Sequence, residues 1–207
     1  CKTARQYEIM KITRILIANR GEIAIRIMKT ARRMKINTVA IKTAAEPNAM
    51  YLSSADEIFD NTEEVSEIPV FLDIEKLISI ALKTGSDAVH PGYGFLAENA
   101  YFAQKCLDSN IIFIGPSPDA IYKMGNKTIA RKLALKNGIP MAMGSTGNIS
   151  NEEEAVKIAE KIGYPVIIKA ASGGGGRGMR IVRKSDEMEK MFIVASKEAE
   201  KAFNDPS

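Results

Sequence analysis

One stretch of the sequence, residues 166–182, constrains the fold and the chemistry of this chain more than any other. It reads Val-Ile-Ile-Lys-Ala-Ala-Ser-Gly-Gly-Gly-Gly-Arg-Gly-Met-Arg-Ile-Val. The β-branched run that ends in Lys169 predicts a strand, the glycines predict a loop, and the second apolar run predicts another strand. Because glycine has no Cβ, the N–H groups of such a loop can approach an anion closely. We therefore interpret the stretch as a phosphate-covering loop between two strands, with the Lys169 ammonium as a point charge at its start.

The stretch matches neither of two common nucleotide-binding motifs. The sequence has no G-x-x-x-x-G-K-[ST] loop, and the glycines lead into a second apolar run rather than into a helix. The second point also argues against a dinucleotide fingerprint. A glycine run can be a plain hairpin connection, but the apolar frame and the lysine favour a ligand-binding loop. Arg177 and Arg180 add positive charge near it.

The composition excludes several classes of partner. No apolar run approaches the roughly 20 residues that a membrane-spanning helix needs. The net charge of +4 is spread along the chain, and basic clusters are not interleaved with aromatic residues. We therefore expect neither a membrane nor a nucleic acid as partner. Cys1 and Cys106 stand far apart, which predicts a reducing compartment: the cytoplasm, or the mitochondrion if the source is eukaryotic. One histidine and two cysteines argue against a zinc site.

Strands and helices alternate through the first part of the chain. Apolar runs at 14–19, 38–41, 87–89 and 111–114 predict strands, and helical periodicity separates them. This pattern predicts a Rossmann-like α/β domain with a mostly parallel sheet. Its first strand-to-helix turn contains only Gly21, so a dinucleotide site would lack its usual glycines.

The pattern also predicts where the domains begin and end. We expect a leader or tag over residues 1–11, the Rossmann-like domain over 12–137, a linker over 138–150, and a smaller α+β domain over 151–207. The linker has no strong helical or strand pattern, which places the boundary there. Asp73 is a predicted helix N-cap, and acids at 152–154 favour a helix start. The start at Cys1 and the turn-like end at 204–207, which should lead into another strand, predict that the sequence is cut from a longer one.

Four separated motifs resemble the biotin carboxylase family of ATP-grasp enzymes. Residues 168–180 resemble the glycine lid of that family, and residues 17–24, Ile-Ala-Asn-Arg-Gly-Glu-Ile-Ala, resemble its opening signature. Residues 90–99, His-Pro-Gly-Tyr-Gly-Phe-Leu-Ala-Glu-Asn, match its decapeptide except that Ala97 replaces a serine. Residues 124–127, Met-Gly-Asn-Lys, resemble a Met-Gly-Asp-Lys motif, with Asn in place of Asp. The resemblance runs from about Arg14 to the end but does not reach the large carboxy-terminal domain of the family.

The resemblance implies a fold, a reaction and a binding site. The fold would be a Rossmann-like pre-ATP-grasp domain followed by a small α+β lid domain, with the ATP-grasp fold incomplete. The reaction would be the carboxylation of biotin on a carrier protein with ATP and bicarbonate, through carboxyphosphate, within an acyl-CoA or pyruvate carboxylase. The implied cofactors are ATP, Mg²⁺ or Mn²⁺, and biotin. The implied cofactor-binding residues are Lys127, Lys169, Gly173, Gly174, Gly175, Gly176 and Met179.

The same resemblance implies partners and leaves alternatives. The partners would be bicarbonate and a biotin carboxyl carrier protein or domain, with a homodimer at full length. Catalytic and metal-binding residues are expected in the missing carboxy-terminal region, so this stretch alone should be inactive. One alternative is another ATP-grasp ligase such as carbamoyl-phosphate synthetase, whose leading domain lacks the signatures at 17–24 and 90–99. Another is a catalytically incomplete nucleotide-binding or dimerising fragment.

Overall fold

The computed structural model describes residues 11–63, 66–171 and 178–207. Spatial contacts divide the chain into two compact units between Tyr122 and Lys123. The helix over Lys127–Lys136 groups with the second unit. The domain bounds expected from the sequence, at 12–137, 138–150 and 151–207, remain a prediction.

The first unit is built on a five-stranded parallel sheet, which confirms the predicted fold class. Its strands are β1 (Arg14–Ile17), β2 (Asn37–Thr43), β3 (Glu57–Asn61), β4 (Ala88–His90) and β5 (Ile112–Phe113). Their order is β3-β2-β1-β4-β5, and every neighbouring pair is parallel. The chain therefore adds strands on one side of β1 and then crosses to the other side. In open sheets of this kind, ligands usually bind outside the carboxyl ends of the strands where the order reverses, here between β1 and β4.

Helices cover both faces of this sheet, as buried parallel strands require. They are α1 (Gly21–Arg33), α2 (Ile74–Lys83), α3 (Ala100–Asp108) and the first part of α4 (Pro118–Gly125), with 3₁₀ turns at Met50–Ser54 and Val70–Leu72. The division between the units falls within α4, after Tyr122. Alternate side chains of the central strands pack with α2 and α3 on one face, and the others pack with α1 on the opposite face. The predicted cap of α2 is confirmed, because the Asp73 carboxylate accepts a hydrogen bond from the Lys76 N–H at 3.0 Å.

Strand β3 is an element that the sequence pattern does not predict. It lies at the edge of the sheet and none of its residues is fully buried. Apolar and polar residues therefore do not alternate clearly along it. Its pairing with β2 over residues 57–61 fixes it as a strand. Tertiary pairing overrides local propensity most easily at such edges.

The second unit combines helices with a two-stranded hairpin. Its elements are α5 (Lys127–Lys136), α6 (Glu152–Ile162), β6 (Val166–Lys169), β7 (Met179–Val182) and α7 (Met188–Phe203), with a 3₁₀ turn at Ser185–Glu187. The antiparallel pairing of β6 and β7 confirms the two strands predicted on either side of the glycine loop. Their inner face packs on α6 and α7 around Ala159, Val182 and Met188. Among the helices of the described chain, none has the length and apolarity that crossing a bilayer requires.

Candidate functional site

The β6–β7 hairpin presents an apolar face with one lysine. The register pairs Ile167 with Ile181 and Lys169 with Met179. Because side chains alternate along a strand, these four share one face. All four are exposed, with Ile167, Met179 and Ile181 at 52%, 42% and 54% of their full surface. An exposed apolar patch next to a cation suits a ligand that has both an apolar part and an anionic part.

Lys169 and Met179 face each other at the end of the hairpin where the loop connects the two strands. Beyond them the Ala170 N–H donates to the Gly178 carbonyl at 3.1 Å and extends the pairing by one step. The structure therefore brings together two of the predicted site residues. Gly173, Gly174, Gly175 and Gly176 lie outside the described residues, so their role stays a prediction.

Arg180 lies on the other face of the hairpin. It pairs with Ile168 in the register, and its Nη2 lies 2.7 Å from Oε2 of Glu198 on α7. The charge of Arg180 therefore anchors the hairpin to α7, whereas Arg177 lies outside the described residues. Arg180 does not add to the charge of Lys169.

Lys127 is the first residue of α5 and is exposed. The helix is capped by Asn126, whose Oδ1 accepts a hydrogen bond from the Ile129 N–H at 3.0 Å. An amide oxygen can cap a helix as an aspartate does. The Asn126 departure from the Met-Gly-Asp-Lys pattern therefore keeps the helix start beside Lys127 and removes one negative charge from it.

Lys127 and Lys169 line the same cleft of the second unit, which has a volume of about 790 Å³. Among the described residues that line it, the ionisable side chains are Lys127, Arg131 and Lys169, and all three are cations. Its walls are largely apolar and include Met141, Ile149, Ile158, Val166, Ile167 and Phe192. The volume lies in the range of small-molecule sites, roughly 300–1,000 Å³. A cleft with apolar walls and cationic side chains suits a nucleotide.

Arg131 was not singled out in the sequence. It follows Lys127 by one helical turn, and its Nη2 donates to the Ala142 carbonyl at 2.8 Å. The spacing of four residues could have indicated it, because residues four apart on a helix share a face. Within the described ranges no group of three or more His, Cys, Asp or Glu side chains is placed to hold a metal ion.

The other two motifs meet in the first unit, at the crevice between β1 and β4. Ile17 pairs with His90, so the two strands end side by side. Asn19, which is 1% exposed, fills the space beyond them. Its Nδ2 donates to the carbonyls of Pro91 at 2.8 Å and Tyr93 at 2.9 Å. The Arg20 N–H donates to the Asn19 Oδ1 at 2.9 Å, so this amide is satisfied on both sides.

His90 and Gly92 complete this arrangement. The Gly92 N–H donates to Nδ1 of His90 at 3.0 Å, which requires the neutral imidazole. Burial lowers the pKa of His90 and favours the same neutral form. Gly92 has φ +67°, which glycine adopts without strain. The crevice where other doubly wound sheets bind a dinucleotide is therefore occupied by polar groups of the chain itself.

Comparison with known proteins agrees with both units. Residues 11–121 match the family described as biotin carboxylase, N-terminal domain. Residues 126–207 match the family described as carbamoyl-phosphate synthase L chain, ATP binding domain.

Similar proteins include several carboxylases. Biotin carboxylase 1 of Bacillus subtilis is 48% identical over 195 residues, which make up 94% of this chain and 43% of that protein. The pyruvate carboxylase of Schizosaccharomyces pombe is 44% identical over 197 residues, which make up 94% of this chain and 17% of that protein. The chain thus spans less than half the length of these relatives.

Similar solved structures contain nucleotide. A biotin carboxylase–β,γ-ATP complex from Campylobacter jejuni superposes with a TM-score of 0.89 at 43% identity, covering 95% of this chain and 44% of that one. The biotin carboxylase domain dimer of the 2-oxoglutarate carboxylase from Hydrogenobacter thermophilus, in complex with MgADP, ADP and bicarbonate, superposes with a TM-score of 0.86 at 41% identity. It is matched over 94% of this chain and 43% of that one.

Proposed function

This chain belongs to the biotin carboxylase family, and from that premise we propose that the protein carboxylates biotin on a carrier protein with ATP and bicarbonate. Such an activity would form part of an acyl-CoA or pyruvate carboxylase. Relatives of both kinds support this, among them the methylcrotonoyl-CoA carboxylase α subunit of Rattus norvegicus, 45% identical over 194 residues.

The observation that carries the proposal is the cationic cleft of the second unit. It brings together Lys127 and Lys169, which lie far apart in the sequence, and the described side chains that line it include no carboxylate. The positive charge of these side chains attracts a polyphosphate, and no carboxylate among them repels it. The apolar face formed by Ile167, Met179 and Ile181 is suited to the flat, largely apolar face of a purine base.

In the first half of the proposed reaction, an oxygen of bicarbonate attacks the γ-phosphorus of MgATP. The bond to the β-phosphate oxygen breaks, ADP leaves, and carboxyphosphate forms. Negative charge spreads over the γ-phosphate oxygens in the transition state, so fixed cations beside them lower the barrier. Lys127 and Lys169 are proposed to hold the phosphates and to neutralise this charge.

In the second half, the carboxyl carbon forms a bond to a ureido nitrogen of biotin and its bond to the phosphate oxygen breaks. Inorganic phosphate leaves with the proton that the nitrogen gives up. Carboxyphosphate would be lost to water if the site stayed open. The N–H groups of Gly173 to Gly176 are proposed to cover the phosphates and exclude water, as the sequence predicts. Met179 is proposed to contact the base.

The proposed partners follow from the reaction and from the family. They are bicarbonate, a biotin carboxyl carrier protein or domain, and a second copy of the protein. The Hydrogenobacter structure, described as a dimer with bicarbonate, supports the first and the last of these. We propose a cytoplasmic location, or a mitochondrial one if the source is eukaryotic.

A second candidate function is that of another ATP-grasp ligase of the carbamoyl-phosphate synthetase type. The match of residues 126–207 to the carbamoyl-phosphate synthase ATP binding domain favours it. That class of enzyme also activates bicarbonate with ATP, but its acceptor is ammonia instead of biotin. The match of residues 11–121 to the biotin carboxylase N-terminal domain favours biotin.

The test is ATP hydrolysis by the full-length protein with bicarbonate, adding either free biotin or ammonia. The proposal expects bicarbonate-dependent hydrolysis that biotin stimulates, with carboxybiotin as product. Formation of carbamoyl phosphate with ammonia would establish the second candidate instead. Full-length protein that binds MgATP but hydrolyses it with neither acceptor would indicate a nucleotide-binding protein without this activity.

A further inference from the structure

Helix α5, which begins with Lys127, has little apolar packing to fix its position. None of its residues, all of which the structure describes, is fully buried. The next helix along the chain, α6, in contrast buries Ala155 and Ala159. An element that buries little apolar surface depends on specific polar contacts for its placement. The position of Lys127 is therefore sensitive to the hydrogen bonds that α5 makes.

Asn148 links the start of α5 to the end of β6. The Thr128 hydroxyl donates to Asn148 Oδ1 at 2.8 Å, and Asn148 Nδ2 donates to the Ser207 hydroxyl oxygen at 3.2 Å. The carbonyl of Ser207 accepts a hydrogen bond from the Ala171 N–H at 2.8 Å. These three hydrogen bonds form one continuous path across the second unit.

Each end of this path lies beside a lysine of the cleft. Thr128 directly follows Lys127, and Ala171 lies two residues after Lys169. Asn148 and Ser207 themselves line the cleft. The path therefore connects the backbone beside Lys127 with the backbone beside Lys169. The distance between these two positions determines whether both ammonium groups can reach one polyphosphate.

The groups along the path are set up for these roles. The Ser207 hydroxyl donates to Asp205 Oδ1 at 2.7 Å, so its lone pairs face the Asn148 amide. Asn148 uses both ends of its side chain, one as acceptor and one as donor. A residue of another type at this position would not bridge the same two hydroxyl groups with this geometry.

Arg131 holds the same segment at a second point. Its Nη2 donates to the Ala142 carbonyl at 2.8 Å. Its guanidinium also lies against Gly144, where an added Cβ would come within 3.1 Å of Cζ. Hydrogen bonds to α5 thus hold segment 142–148 near both ends of the segment. Of the two, only the hydrogen bond at Asn148 is part of the path toward β6.

We propose that Asn148 is a positioning residue for nucleotide binding, which holds Lys127 in place relative to Lys169. This inference rests on the proposed function and assigns Asn148 no contact with the nucleotide. The neutral amide acts through the placement of α5, and the two cations supply the attraction for phosphate.

The test measures the dissociation constant for MgATP and the melting temperature of the full-length protein. Asn148→Ala should weaken MgATP binding by about three- to tenfold, the range that one or two hydrogen bonds support, with little change in melting temperature. Thr128→Val removes the donor with little change of shape and should do the same. Thr128→Ser keeps the hydroxyl and should bind MgATP like the wild type.

Asn137→Ala is a matched control at the other end of α5. It removes the hydrogen bond from Asn137 Nδ2 to the Leu133 carbonyl, at 2.8 Å, which lies outside the cleft. The proposal expects unchanged MgATP binding in this variant. An equal loss of affinity in Asn137→Ala and Asn148→Ala would show a general effect of helix stability and would overturn the positioning role.

A double-mutant cycle separates this inference from the proposed function. If Asn148 acts through Lys127, adding Asn148→Ala to Lys127→Gln should weaken binding little further. Additive losses, or wild-type affinity in Asn148→Ala while Lys127→Gln binds weakly, would overturn the positioning role and leave the proposed function intact. Wild-type MgATP affinity together with wild-type ATP turnover in both Lys127→Gln and Lys169→Gln would overturn the role of these lysines in the proposed function, and the positioning role with it.

Discussion

Asn19 occupies the space into which a side chain at Gly92 would project. A Cβ built on Gly92 would come within 2.6 Å of Asn19 Nδ2 and 2.8 Å of Ile23 Cγ2, and Gly92 also has φ +67°. The motifs at 17–24 and 90–99 thus interlock, because Gly92 has no side chain and the buried amide of Asn19 fills the space that one would need. This contact closes the crevice between β1 and β4.

Gly92→Ala should therefore destabilise the protein strongly. The left-handed backbone costs about 1–2 kcal/mol for a residue with a Cβ, and the overlap costs about 1–3 kcal/mol more. We expect a loss of about 2–5 kcal/mol in the free energy of unfolding, measured by urea denaturation. Gly94→Ala is the control, because Gly94 has φ +71° and an added Cβ would meet nothing within 4 Å. It should lose only about 1–2 kcal/mol, and equal losses in the two variants would contradict the interlocking.

The second prediction concerns the two lysines of the cleft. Lys127→Gln and Lys169→Gln should keep the melting temperature, because both side chains are exposed. In the full-length protein each should raise KM for ATP or lower kcat by about ten- to a hundredfold, as expected for a lost charge-assisted contact to phosphate. Lys190→Gln, on the exposed surface of α7, should leave the ATP saturation curve unchanged. A lower melting temperature with wild-type ATP kinetics would show that these lysines are structural.

The third prediction concerns the apolar face of the hairpin. Met179→Ser should weaken MgATP binding by about three- to thirtyfold, because it removes one apolar contact to the base. The stability should change little, since Met179 is 42% exposed. Ile193→Ser makes a similar change at a 38% exposed position on α7 instead of on the hairpin and should leave binding unchanged. Isothermal titration of MgATP into both variants measures these affinities. Wild-type affinity in Met179→Ser would exclude this face as the base-binding surface.

The fourth prediction concerns pH. Burial lowers the pKa of His90 in the folded state below its ordinary 6.5. As the pH falls, His90 therefore takes up a proton at a higher pH in the unfolded chain than in the folded chain. The stability that the folded state gains by keeping His90 neutral is fully present above pH 6.5 and is lost as the pH falls through the lower pKa of the folded state. The protonated ring would also lose its hydrogen bond from the Gly92 N–H.

His90→Gln, which keeps an acceptor but does not titrate, isolates this effect. Its free energy of unfolding should fall less than that of the wild type between neutral pH and pH values well below 6.5. Carboxylates that titrate in the same range affect both proteins equally and cancel in the difference. Parallel pH profiles for the two proteins would show that His90 is not held neutral by the fold.

The sequence by itself determined the local elements. The β-branched run that ends in Lys169 and the second apolar run at 179–182 specified two strands on either side of the glycines. The alternation of strands and helices up to residue 114 specified the parallel sheet. The cap at Asp73 followed from the chemistry of one side chain and the helix start beside it. The resemblance of four motifs then indicated the family.

The tertiary structure decided what depends on residues far apart in the chain. Strand β3 forms because it pairs with β2, although its own pattern is weak. Arg180 turns away from Lys169 because the register places it on the face of α7, where it meets Glu198. Asn19 and Asn148 form hydrogen bonds with partners that are distant in sequence, and no local pattern predicts which distant carbonyl or hydroxyl an amide will meet. Local propensity fixes an element, but the faces of different elements are brought together only by packing and register.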